Sequence, residues 1–170
     1  MLPQDEQERW MRQALAVAET GLSQGELPIG AIVVLDNQII GSAYTRERAE
    51  QRLLVHADLL ALSEADQLKP FPGQRRDARL FVTLEPCLMC LGAAMSFYVG
   101  EVYYAVESPG DGAGALVEQW QRKAEDFPSY RVLKIVGGVL RDESIALFQA
   151  YTQRYTDGGM AAWARTIAAL

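Results

Sequence analysis

Two short stretches hold nearly all the side chains that could do chemistry together. VHADLLAL (55–62) carries His56, the only histidine, and Asp58 two residues later. TLEPCLMC (83–90) carries Cys87 and Cys90, the only two cysteines. A C-x-x-C pair by itself is ambiguous: it can be a redox couple, two packed thiols, or half of a metal site. A single histidine on a helix is more often a core or capping residue than a ligand. The combination narrows the choice. Cysteines three apart in the first turn of a helix present both sulfurs to the same side, and a helix N-terminus favours negative charge, which lowers a thiol pKa. Two thiolates and one imidazole make a three-ligand zinc set. Three protein ligands leave a fourth position for water, the catalytic pattern, whereas structural zinc sites are closed by four. The chain has no third cysteine or second histidine with which to close it. Such a zinc lowers the pKa of its water to near neutrality, and Asp58 is then the acid best placed to carry protons, with Glu85 the next nearest.

These residues need elements to hold them. Met11, Ala14, Leu15, Ala18 and Leu22 recur at helical spacing and predict a helix over 5–22. PIGAIVVL (28–35) and QIIGSAY (38–44) are two β-rich runs joined by Asp36-Asn37, a hairpin pattern. The charged segment 46–52 reads as loop. A helix runs from His56 to about Leu68, broken by KPFPG (69–73). ARLFVTL (78–84) is a third strand. A helix from about Cys87 to Tyr98 follows Pro86, which suits a helix start. EVYYAVE (101–107) is a fourth strand, PGDGAGAL (109–116) a tight glycine-rich loop, and YRVLKIVGGV (130–139) a fifth strand. Asp142 is placed to cap a helix over 143–155, and Gly158-Gly159 separates it from an extra C-terminal helix at about 159–170. Helices follow strands from the third strand onward. The expected fold is α/β: a three-layer α/β/α arrangement, a five-stranded mixed sheet with helices on both faces, as one domain over 1–170.

Composition limits the function classes. Of 170 residues, 49% are hydrophobic and 22% charged, so there is material for a core. No apolar run approaches the roughly 20 residues that span a bilayer, and the polar start MLPQDEQERW lacks the pattern of a signal peptide. No membrane partner is expected, and a cytoplasmic location is the simplest reading. The net charge of −6 argues against phosphate binding. Arg46, Arg48 and Arg52 fall together, but Glu47 and Glu50 interleave with them, so this segment reads as a solvated loop of mixed sign.

The chain resembles the zinc-dependent cytidine/deoxycytidylate deaminase superfamily, with its His-x-Glu and Pro-Cys-x-x-Cys pattern. The likeness is carried by PIGAIVV, NQIIGSAY, VHADLLAL, LFVTLEPCLMCLGAAM, VGEVYYAV, GDGAGAL and GGVLRDESIALFQAY, from about residue 8 to 151. Within the superfamily the chain looks most like the bacterial tRNA adenosine deaminases and the related guanine and cytosine deaminases. The resemblance implies zinc on His56, Cys87 and Cys90, hydrolytic attack on an amidine carbon of a base, and a pocket shaped by Ala57 and the Pro28-Ile29 segment. It also implies a homodimer, an expectation shared by the apolar Met89, Leu91, Met95, Phe97 and Tyr98. Three features depart from the family pattern. Asp58 stands where the family has glutamate. Thr45 stands near the place of an asparagine that touches the nucleoside. Glu107-Ser108-Pro109 replaces an Arg-Asp pair that the tRNA enzymes use at the anticodon loop.

The expectation drawn from these departures is a zinc-dependent deaminase of a free base, nucleoside or related small amino-heterocycle. Asp58 would be its catalytic acid, with Thr45 and Glu85 among the substrate contacts, and tRNA is not expected as a partner. The alternatives are a tRNA adenosine-to-inosine deaminase and a non-catalytic, zinc-stabilised subunit.

Overall fold

The computed structural model describes residues 1–68, 76–120, 125, 131–132 and 134–170. Helix α1 (Gln4–Ser23) leads into strands β1 (Gly30–Leu35) and β2 (Gln38–Tyr44). Asp36 and Asn37 between them are both left-handed, with φ of 49° and 59°, as a two-residue type I′ hairpin turn requires. There follow α2 (Glu47–Glu50), α3 (Ala57–Ala65), β3 (Arg79–Leu84), α4 (Leu88–Ser96), β4 (Glu101–Val106) and α5 (Gly114–Trp120). The chain ends with β5 (Lys134–Val136), α6 (Arg141–Arg154) and α7 (Gly159–Ala168).

The strand order is β2-β1-β3-β4-β5. β1 runs antiparallel to β2 and β3, while β3, β4 and β5 are parallel, so the sheet is mixed as expected. Alternate side chains on a strand face opposite ways, and the buried residues separate accordingly. Ala31, Val33, Leu80 and Val82 pack with α3 and α4, and Ile32, Val34 and Phe81 pack with α1 on the other face. A third cluster joins Leu22, Leu84 and Val106 to Phe148 of α6 and Ile167 of α7. At Gly41 of β2 the sheet meets α3 so closely that an added Cβ would overlap the Ala61 carbonyl oxygen. That close approach fixes the height of α3 over the sheet.

The structure differs from the sequence expectation at several points. Segment 46–52 contains the short helix α2, because the buried Glu26 carboxylate accepts the N–H groups of Arg48 (3.1 Å) and Ala49 (2.6 Å). The glycine-rich loop gives way to α5 already at Gly114, whose N–H is held by Glu85 Oε1 at 3.0 Å. β5 spans only Lys134–Val136; Gly138, at φ 84°, breaks the regular strand, although the Gly138 and Val139 N–H groups still donate to the Ala105 and Tyr104 carbonyls of β4, both at 3.2 Å. Asp142 does not cap α6. Leu140, in left-handed conformation, precedes that helix, and Asp142 lies in its first turn, where its charge suits the positive end of the helix. The expected break at 69–73 lies outside the described residues.

Candidate active site and metal centre

Two helix N-termini bring the site together. His56 is the N-cap of α3, so Ala57 and Asp58 are its first two helical residues. Cys87 is the N-cap of α4 and Cys90 sits in that helix's first turn. Pro86 precedes the cap and its carbonyl accepts the Ala113 N–H at 3.0 Å, while Cys87 pairs with Gly112 in an isolated bridge. The cysteine turn is therefore tied to the 108–114 loop on one side and to β3 on the other.

The three metal-binding atoms form a nearly equilateral triangle. His56 Nδ1 lies 3.6 Å from Cys87 Sγ and 3.6 Å from Cys90 Sγ, and the two sulfurs are 3.7 Å apart. A disulfide, at about 2.05 Å, is ruled out by that spacing. A tetrahedral zinc with Zn–S of about 2.3 Å and Zn–N of about 2.0–2.1 Å separates its ligand atoms by about 3.8 Å (S···S) and about 3.6 Å (S···N). The triangle has those dimensions, so the residues present fit zinc. All three atoms lie within 4.8 Å of one another.

Of the three groups, the local charges favour the metal-binding form only at Cys87; zinc binding would displace a proton from His56 and from Cys90. The Cys90 thiol hydrogen bond, aided by the contact with His56, draws the Cys87 pKa down to about 4 against the opposing cost of burial. Cys90, the donor in that pair and the more deeply buried thiol, is pushed up. Its hydrogen bond to Cys87 raises the His56 pKa to about 9, with lesser contributions from the Asp58 and Glu47 charges. Asp58 is 4% exposed, and burial raises its pKa against the lowering effect of the Cys90 hydrogen bond. Its Oδ1 accepts the Leu59 N–H at 3.1 Å.

His56, Asp58, Cys87 and Glu47 line a cavity of about 320 Å³; Cys90 is fully buried and does not line it. Of the residues expected at the site, Ile29, Thr45, His56, Ala57, Asp58, Glu85 and Cys87 all face it. Pro28 is not among the lining residues; its carbonyl accepts the Thr83 hydroxyl at 3.3 Å behind the wall. The Thr45 hydroxyl is engaged by the Val55 carbonyl and Glu47 Oε2, both at 3.2 Å. Both Glu85 oxygens accept backbone N–H groups, from Ser108 (3.1 Å) and Gly114 (3.0 Å). Glu85 thus holds the loop beside the cysteines. Ten further lining residues were not expected at the site, among them Glu47, Leu53, Leu84, Asp111, Met160 and Trp163. Asp111 in the GDGAGAL run, and Val82, Leu84 and Pro86 in the LFVTLEPCLMC run, lie in stretches that carry the family resemblance. Met160 and Trp163 come from α7, beyond the region of resemblance.

Residues 4–106 match the model of the family described as the cytidine and deoxycytidylate deaminase zinc-binding region. The chain belongs to this family. The deaminase is accordingly a zinc-dependent hydrolytic enzyme, and its cofactor is the zinc that the His56–Cys87–Cys90 triangle fits. It is 34% identical over 146 residues to a tRNA-specific adenosine deaminase of Bacillus subtilis (strain 168), covering 85% of this chain and 87% of that protein. A solved structure from a study of A-to-I editing by tRNA:A34 deaminases superposes with a TM-score of 0.67 at 29% identity, covering 82% of this chain and 98% of the other. A guanine deaminase from Nitrosomonas europaea has a TM-score of 0.63 at 22% identity, covering 85% and 83% of the two chains, and shows a shared fold.

These relatives correct one expectation. tRNA was set aside on the net charge and the missing Arg-Asp pair, but relatives that align along most of the deaminase are tRNA-specific enzymes. A net charge averages over the whole surface, whereas phosphate contact depends on local arrangement. Arg46 and Arg52 are exposed and adjoin cavity-lining Glu47 and Leu53 in sequence, and both pair with Glu50, at 3.8 Å and 2.8 Å. Of the apolar residues that shared the expectation of a homodimer, Leu91, Met95 and Phe97 are buried within the chain's own core, which leaves that expectation to the family resemblance. Among the described residues, no helix is long and apolar enough to cross a membrane.

Proposed function

We propose that the deaminase converts adenosine to inosine within a tRNA, with His56, Cys87 and Cys90 holding zinc and Asp58 carrying the protons. The observation that supports this substrate is the 34% identity, along 85% of the chain, to a tRNA-specific adenosine deaminase. Zinc with three protein ligands supplies Lewis acidity and makes a water acidic at neutral pH. Asp58 stands beside Cys90 in a dry setting that raises its pKa, which suits a group that must accept a proton from water and give it up to a ring nitrogen and a departing amine. Leu27, Ile29, Leu84 and Trp163 give the cavity apolar walls for a base. Ala57, at the start of α3, offers its main chain to the base edge. A cavity of about 320 Å³ takes a nucleoside and not a helix, so the target adenosine must be turned out of a loop. Arg46 and Arg52, exposed next to cavity-lining Glu47 and Leu53, would exchange their pairing with Glu50 for the flanking phosphates.

The test is a side-by-side ammonia-release assay. An anticodon stem-loop containing one loop adenosine is compared with free adenosine, adenine, guanine and cytosine. The expected result is turnover of the stem-loop with inosine as product. Turnover of a free base with an unchanged stem-loop would overturn the substrate.

A further inference from the structure

We propose that Glu47 is a positioning residue for His56, receiving the Nε2–H of the imidazole so that Nδ1 is left unprotonated for zinc. The inference rests on the reading of His56 as a ligand. His56 presents Nδ1 to both sulfurs, so its other nitrogen points the opposite way. Glu47 Oε1 lies 3.9 Å from that Nε2, an ion-pair contact; a direct hydrogen bond, at about 2.7–3.2 Å, needs the carboxylate to close on the ring by a small side-chain rotation. Metal-bound histidines nearly always give their second N–H to a carboxylate, a carbonyl or water, and this partner fixes both tautomer and ring orientation.

Glu47 is held where that role needs it. Its other oxygen, Oε2, accepts the hydroxyl of Thr45, which is itself buried and tied to the Val55 carbonyl. The Arg46 N–H also donates to Val55 O at 3.1 Å, so both ends of the 45–55 segment are fastened one residue from His56. Beneath Glu47, the Glu26 carboxylate accepts the next two backbone N–H groups and fixes the first turn of α2. The side chain is 19% exposed and lines the cavity, yet each oxygen already faces a partner. That favours an orienting role over open substrate contact. It also separates Glu47 from Asp58: Glu47 stands on the Nε2 side of the ring, away from the sulfurs.

The test uses the zinc-loaded, full-length protein. Glu47→Ala, Glu47→Gln, Thr45→Val and Cys87→Ser are compared by competition for zinc with a chromogenic chelator. Because the chain has a single histidine, its nitrogen NMR signals can be read directly in the parent protein. The expected result is a protonated Nε2 and an unprotonated Nδ1 in the parent, with zinc held about 10–100-fold more weakly in Glu47→Ala. Glu47→Gln, which keeps an acceptor oxygen, should recover most of that loss. Parent-like zinc affinity in Glu47→Ala, alongside lost zinc in Cys87→Ser, would overturn the role of Glu47 and leave the ligand set standing. Unchanged zinc in Cys87→Ser would instead remove the ligand reading, and this inference with it. If Glu47→Ala does not fold, a parent spectrum with the proton on Nδ1 would itself overturn the proposal.

Discussion

Replacing Asp58 with asparagine should abolish turnover while leaving zinc and fold in place. The side chain is 4% exposed and is one of four carboxylates facing the cavity. The other three are committed elsewhere. Glu85 accepts the Ser108 and Gly114 N–H groups, Asp111 accepts the Ser108 hydroxyl, and Glu47 is tied to Thr45 on the far side of the imidazole. Each of the three is held by at least one hydrogen bond away from Asp58's place beside Cys90. General acid–base catalysis contributes about 10²–10⁴-fold, equivalent to about 2.7–5.5 kcal/mol of barrier, and the lack of a substitute places the loss at the upper end of that range. Asparagine has the same shape and keeps an oxygen for the Leu59 N–H, so packing is conserved. Burial disfavours the Asp58 charge, so the neutral amide should not lower thermal stability. The assay is inosine formation under single-turnover conditions, with zinc measured in the same sample and melting followed by circular dichroism. An Asp58→Asn protein that retains zinc and turns over within threefold of the parent would refute the reasoning.

Three other outcomes follow from the geometry. Glu85→Ala removes a charged acceptor from two backbone N–H groups, each worth about 1.5–3 kcal/mol to a charged partner; with partial exposure the loss should be about 2–4 kcal/mol in urea unfolding, with weaker zinc retention. Gly41→Ala forces a methyl against the Ala61 carbonyl, so α3 must lift from the sheet at a cost of about 1–3 kcal/mol, read as a lower melting temperature. Burial alone would raise the Glu101 pKa, but the Met1 ammonium, Arg79 and the Tyr103 hydroxyl outweigh it and hold the carboxylate below its usual range. A pKa depressed by folding gives stability that is present above the unfolded value of about 4.3 and is lost as pH falls through the folded value. Acid unfolding of Glu101→Gln should therefore show a shallower loss of stability below about pH 4.3 than the parent.

The chemistry of the site was largely legible because so few residue types can do it. One histidine and two cysteines left little choice of ligands, Asp58 and Glu85 were the two acids nearest to them, and Pro86 marked the start of the cysteine helix. The sheet was legible from its alternating and continuous apolar runs. What stayed hidden depends on partners distant in sequence. α2 forms because Glu26, more than twenty residues earlier, satisfies its first turn. α5 starts at Gly114 because Glu85, 29 residues earlier, holds that N–H. Trp163 and Met160 reach the cavity only because α7 folds back along α6, where Trp163 meets the Phe148 ring edge-on at 5.9 Å. The expectation against tRNA failed because a summed charge carries no information on local arrangement, and relatives aligned along most of the chain are tRNA-specific enzymes.

Hydrolytic deamination of a tRNA adenosine at this zinc centre is tested most directly by mass spectrometry of the product made in heavy-oxygen water. The zinc-loaded protein is incubated with an anticodon stem-loop bearing one loop adenosine, and the digested nucleosides are analysed. The expected product is inosine that carries the heavy oxygen, absent from the Cys87→Ser control. Intact adenosine after prolonged incubation with fully zinc-loaded protein would contradict the claim.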